Sequence, residues 1–277
     1  ADHSLDAAWT NAEDTEATTA ALGELGYSRP QVGAARLAAI HGSPRYTQVP
    51  NNIRSRFDAL MPRMIEAAAT TPGPDDTLTR LLDLIEAIGR RGAYLALLQQ
   101  YPQALRRVAD LMSASRWGAQ FLTRHPILLD EMLDARNLDN APDWKTFRAS
   151  LSEELETLEP DMERQMDLMR ERHHAQVFRL LAQDIAGLQT VERLADHLTE
   201  LADIVVRTTL DLCWSKLRDR HPHPERAPKF AVIAYGKLGG LELGYGSDLD
   251  VVFLYDDSDE SDPDHAQEVY AAFVRKL

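Results

Sequence analysis

The chain has 277 residues, with 44 acidic against 30 basic side chains and a formal net charge of -14 at pH 7. That balance argues against a general nucleic-acid binder, because affinity for a polyanion comes from clustered Lys and Arg. With 44% hydrophobic and 27% charged residues the composition is globular, long enough for one large domain or two ordinary ones, and no apolar run approaches the roughly 18 residues needed to cross a bilayer. The N-terminal Ala1-Asp2-His3 lacks the basic and apolar regions of a signal peptide. A single cysteine, Cys213, excludes an internal disulfide framework and a Cys-rich zinc site. The expectation is a soluble, cytoplasmic protein with no membrane partner; the absence of an initiating methionine reads as a piece of a longer polypeptide.

Up to about residue 225 the apolar residues recur at helical spacing. Leu78, Leu81, Leu82, Ile85 and Ile88 form one stripe, and Leu194, Leu198, Leu201, Val205 and Leu212 form another. Breakers separate such segments: Thr71-Pro72-Gly73-Pro74-Asp75, Tyr101-Pro102, His125-Pro126 and the polar stretch 137–143. Asp75 and Asp76 stand where an N-cap and an acidic first turn are expected. From Phe230 the pattern changes to Phe-Ala-Val-Ile-Ala-Tyr, too short for a helix and apolar on both faces, as in a buried central strand. A second strand is expected over Leu249 to Tyr255, and a helix from Pro263 to Leu277 with its proline near the start. Two strands and one helix cannot bury both faces of such a sheet, so further strands are expected from beyond Leu277 or from another chain. The fold class expected is mainly α, a helical bundle over 1–225 followed at 226–277 by the beginning of an α/β core.

Asp248 and Asp250 are two apart at the head of the second strand, and alternate strand residues share a face about 6.5 to 7 Å apart. Hard divalent cations such as Mg2+ take oxygen ligands and commonly bind through one or two carboxylates plus substrate phosphates. In an acidic protein a bare Asp-x-Asp is otherwise a solvated loop end, but Leu249, Val251 and Phe253 mark a buried strand, where two carboxylates need compensation. Gly236, Gly239 and Gly240 would let backbone N–H groups approach a phosphate, while Lys237 offers a charge and Ser247 a hydroxyl. Without further context such a loop is only a flexible connection. It is neither a Walker loop nor a Gly-x-Gly-x-x-Gly fingerprint.

Strand, Gly-Lys-Leu-Gly-Gly loop and Ser-Asp-Leu-Asp strand together resemble the nucleotidyltransferase superfamily of the DNA polymerase beta type. Gly236-Lys237 departs from the Gly-Ser of many members. The longer string from Ala234 to Asp256 is more specific and resembles glutamine synthetase adenylyltransferases, as do Arg91 to Leu98, Tyr101-Pro102 and His125 to Asp134. The form Glu-Leu-Gly-Tyr followed by Ser-Asp-Leu-Asp looks more like the adenylylating than the deadenylylating half of that family. The resemblance implies transfer of AMP from ATP to a tyrosine of glutamine synthetase, with Mg2+ on Asp248 and Asp250 and the phosphates positioned by Gly236, Lys237, Gly239, Gly240 and Ser247. It also implies the PII signalling protein as a partner of the helical part, and a further carboxylate on a later strand. No segment matches that strand, so the chain alone is expected to be inactive. An interaction module of helices with an inert catalytic stub is the rival reading.

Other features have plain readings. His173-His174 are expected at the surface rather than on a metal, Cys213 as a small core residue, and Trp117 with Phe121 as core or helix–helix packing.

Overall fold

The computed structural model describes residues 2–132, 140–218, 229–258 and 262–276. The change of regime expected near residue 225, the segment His221 to Pro224, and parts of the 137–143 and 256–264 stretches lie outside the described residues. The described residues are mostly helical with one two-stranded sheet, and the chain divides into two units, 1–139 and 140–277. None of their helices is long and apolar enough to cross a membrane.

The first unit runs through α1 (Asp2–Thr10), α2 (Thr15–Glu24), α3 (Pro30–His41), α4 (Pro44–Thr47), α5 (Asn51–Ala69), α6 (Pro74–Ile88), α7 (Gly92–Gln100), α8 (Pro102–Ala114) and α9 (Arg116–Arg124), ending in a 3-10 helix, Pro126–Met132. Proline opens α3, α4, α6 and α8, where its missing N–H would have had no helical partner and its fixed φ suits the first turn. The stripe of α6 is fully buried, as its spacing predicts, and packs on α5, whose Phe57, Leu60, Met61 and Met64 are buried too. Trp9 of α1 stacks on Phe57, and its Nε1 donates to Asp58 at 2.8 Å.

Two expectations are corrected here. Gly73, not an aspartate, sits at the N-cap of α6. The Asp75 carboxylate instead accepts from the backbone N–H groups of Ser28 (3.0 Å) and Arg29 (2.7 Å), satisfying the lead-in to α3, a long-range use of the same chemistry. Of the two alternatives for Trp117 and Phe121 the core is the one corrected: they stack on each other along α9, ring centroids 4.8 Å apart, and both are only partly buried, on a helix that packs against α6 and α8.

The second unit begins with α10 (Trp144–Thr157), α11 (Met162–Ile185) and α12 (Val191–Arg218). The side chains of Asp143 and Asp161 cap the first two by accepting from Thr146 and Arg164 N–H. Leu151, Leu155 and Met169 make one buried cluster, with Val205 and Leu212 of the predicted α12 stripe packed against it. His173 and His174 on α11 are half-buried, not surface residues, and burial holds the His173 imidazole below its ordinary pKa.

The sheet follows: β1 (Phe230–Ala234), the one-turn α13 (Gly236–Gly239), β2 (Val251–Tyr255), then α14 (Pro263–Val274). The strands are antiparallel, paired from Phe230 with Tyr255 to Ala234 with Val251. One face lies on α14, where Phe230 stacks on Tyr270 and meets Phe273 edge-on. Cys213 and Leu217 of α12 join Val269, Tyr270 and Phe273 in this buried cluster, so Cys213 is a core residue as expected. The other face is open: Ile233, Val252 and Leu254 are 39%, 46% and 52% exposed. The strands are therefore covered on one side, not on both as their apolar sequences predict. Asp262 caps α14 by accepting from His265 N–H, with Pro263 in the first position.

Candidate functional site

The expected site residues fall on the turn between the strands and the segment leading into β2. β2 starts at Val251, two residues later than its sequence suggests, so Asp248 precedes the ladder and Asp250 borders it. Tyr235 N–H donates to the Asp250 carbonyl at 2.8 Å, carrying the pairing one residue beyond β1. Two turns shape what lies between.

The first is built from Gly236 to Glu242. Gly239 N–H bonds back to Tyr235, Gly240 N–H to Gly236, Leu241 N–H to Leu238 and Glu242 N–H to Lys237 at 2.8 Å, which closes α13 as a Schellman motif. The left-handed position such a motif needs is filled by Leu241, at φ 58°. Only its backbone is required there, since the side chain is mostly exposed. Leu241→Gly is therefore expected to stabilise the second unit by about 1 kcal/mol, because glycine adopts this conformation without the Cβ clash. Urea denaturation followed by circular dichroism measures it; a lower midpoint would show that the Leu241 side chain is needed.

Gly236 is also left-handed, at φ 54°, and a Cβ built on it would lie 2.4 Å from Asp250 Oδ2. Gly239 is held as closely, its Cβ position being 2.5 Å from the Ala234 carbonyl oxygen. The glycines thus let the turn press against the first strand and against the Asp250 carboxylate. Lys237 is exposed.

The second turn, Gly244 to Ser247, is closed by Ser247 N–H to the Gly244 carbonyl and by Gly244 N–H to Ser247 Oγ at 3.0 Å. It brings Ser247 next to Asp248. Both Asp248 and Asp250 are exposed, and among the described residues neither carboxylate enters an ion pair or a side-chain hydrogen bond. Their oxygens are open to a hard cation, and the donor set of two carboxylates with a neighbouring hydroxyl has the all-oxygen character such an ion takes. Among the described residues no group of three His, Cys, Asp or Glu surrounds a single point.

Beneath the segment lies a cavity of about 330 Å3, bounded by Met169 and His173 of α11, Leu198 and Val205 of α12, and Leu243 and Leu249 of the segment itself. Tyr245 reaches across to α11, its hydroxyl donating to Asp184 Oδ2 at 2.9 Å. Burial, and then the Asp184 carboxylate, push the Tyr245 phenol well above its ordinary range. In the sequence Tyr245 enters only as the last residue of the Glu-Leu-Gly-Tyr string, with no role of its own; an aromatic residue between Gly244 and Gly246 is the signal that points to one.

The sequence that builds these helices, the glycine-led turn and the paired carboxylates also matches known proteins. A family model described as glutamate-ammonia ligase adenylyltransferase matches residues 105–277. A bifunctional glutamine synthetase adenylyltransferase/adenylyl-removing enzyme of Aromatoleum aromaticum is 64% identical over 275 residues, 99% of this chain and 29% of the relative. Enzymes of the same name from Ralstonia nicotianae and Chromobacterium violaceum are 49% and 48% identical, covering 96% and 100% of this chain and 27% and 30% of themselves. The chain belongs to the glutamate-ammonia ligase adenylyltransferase family, and it spans less than a third of the length of these curated relatives.

Proposed function

We propose that residues 230–258 form the metal–nucleotide edge of a nucleotidyltransferase core that transfers AMP from ATP to a tyrosine of glutamine synthetase. The observation that carries this reading is the close fit of the left-handed Gly236 backbone against the Asp250 carboxylate, beside two exposed carboxylates that no side chain pairs with among the described residues. The names of the relatives supply the protein substrate and both directions, addition and removal of the adenylyl group. The Glu-Leu-Gly-Tyr and Ser-Asp-Leu-Asp strings favour addition.

In this reading Asp248 and Asp250 hold Mg2+, and an ion there supplies neutralisation of the charge that develops on the pyrophosphate leaving group. Gly239 and Gly240 donate their N–H groups within α13, so their part is to shape the turn. Lys237 lies beside the turn as a cation for a phosphate oxygen, and Ser247 fixes the approach to Asp248 through its turn with Gly244. The helices before the site would receive PII and glutamine synthetase and pass on the regulatory signal, in a cytoplasmic enzyme.

Binding and transfer test different parts of the proposal. In equilibrium dialysis with Mg2+, ATP is expected to bind the chain, and Asp248→Asn or Asp250→Asn to weaken it at least about ten-fold through loss of an ion ligand. Unchanged affinity in either variant rejects the metal assignment. Within a polypeptide of the relatives' length, label from the α-phosphate of ATP is expected on glutamine synthetase, falling about a hundred-fold in either variant; label from the γ-phosphate instead would reject AMP transfer.

A further inference from the structure

Asp248 and Asp250 lie on a segment that leaves α13 at Leu241 and returns to the sheet at Val251. Its inner side faces the hairpin of α11 and α12 across the cavity, with Leu243 buried and Leu249 largely exposed. Apart from Leu243, the segment has room to shift over this cavity of about 330 Å3, because side chains do not fill the space beneath it. Its position then depends on directional contacts. Tyr245 is three residues from Asp248, and Asp184 lies in the last turn of α11, directly before the Gly187 reversal into α12.

We infer that the Tyr245–Asp184 hydrogen bond is a positioning tether, through which the helical hairpin sets the placement of the Asp248–Asp250 segment. This rests on the nucleotidyltransferase reading. Tyr245 touches no reacting group; it acts by holding Gly244 to Asp250 over the cavity. Its hydroxyl stays protonated through the physiological range, because burial and Asp184 both oppose ionisation, so it remains a donor. A shift of the α11 end would be passed through Tyr245 to the carboxylates, which gives the helices a physical route to the site.

The test uses the chain itself with Mn2+ and ATP, following affinity by the relaxation of water protons and following amide exchange at residues 243–250. Tyr245→Phe keeps the ring and removes the donor; Asp184→Ala removes the acceptor; Asp184→Asn leaves an amide oxygen that accepts. Tyr245→Phe, Asp184→Ala and the double variant are each expected to weaken Mn2+–ATP binding by about three- to ten-fold, the range of one hydrogen bond, without additivity. Exchange across 243–250 rises in the same three, and Asp184→Asn restores both readings. Wild-type affinity in Tyr245→Phe and Asp184→Ala would overturn the tether while leaving the metal site intact, as would fully additive losses or failure of Asp184→Asn to restore binding. Failure of the wild-type chain to bind Mn2+–ATP would overturn the reading on which the tether rests.

Discussion

Phe273→Ala is expected to destabilise the second unit by about 3–5 kcal/mol, the usual cost of truncating a fully buried aromatic. Phe273 has no exposure and meets Trp214 and Phe230 edge-on, at centroid distances of 5.2 and 4.8 Å. It therefore joins α12, α14 and the covered face of the sheet. The same cluster holds Cys213, the chain's single cysteine, whose Sγ lies 3.4 Å from the Lys276 carbonyl oxygen and whose thiol burial pushes up. Thiol labelling thus reports this cluster alone. In the wild type it should be slow, and in Phe273→Ala it should accelerate together with exchange at 230–234 and 251–255. Phe273→Leu keeps most of the volume and is expected to cost less than half as much. A loss below about 1 kcal/mol with unchanged Cys213 labelling would show that the sheet is held by contacts other than this one.

The helices were legible because a stripe such as Leu78 to Ile88 states both its period and its buried face, and because proline marks so many starts. The two strands were legible as short apolar runs, but not which side would be covered: Ile233 and Val252 are as apolar as Val232 and Phe253, and only α14 decides between the faces. Asp75 shows the same limit, since a carboxylate's local signature says that it caps and not which helix it serves. In the site, the residue types of the glycine turn and the paired aspartates were readable. The fit of Gly236 to Asp250 and the reach of Tyr245 to Asp184 were not, because each is a contact between residues distant in sequence; nor was the αL backbone of Leu241, a local conformation that a leucine does not announce. Family likeness places the chain where the periodicity alone would stop at a helical protein with a small sheet.

Gly236 offers the sharpest separation of backbone strain from site geometry. Its φ of 54° costs an alanine about 1–2 kcal/mol, whereas asparagine tolerates that region much better. Both, however, carry a Cβ that would lie 2.4 Å from Asp250 Oδ2, and the carboxylate must turn away to admit it. Gly236→Ala and Gly236→Asn are therefore expected to lose Mg2+-dependent ATP binding alike, by about ten-fold or more, since displacing a ligand by a fraction of an ångström spoils ion geometry. Their stabilities should differ, with Gly236→Ala lower by about 1 kcal/mol in urea denaturation. The comparison has two informative failures. If Gly236→Asn binds like the wild type while Gly236→Ala does not, the glycine is there for its φ, and its approach to the carboxylate has no part in the site. If both variants bind normally, the close approach of the Gly236 backbone to the Asp250 carboxylate has no part in holding an ion.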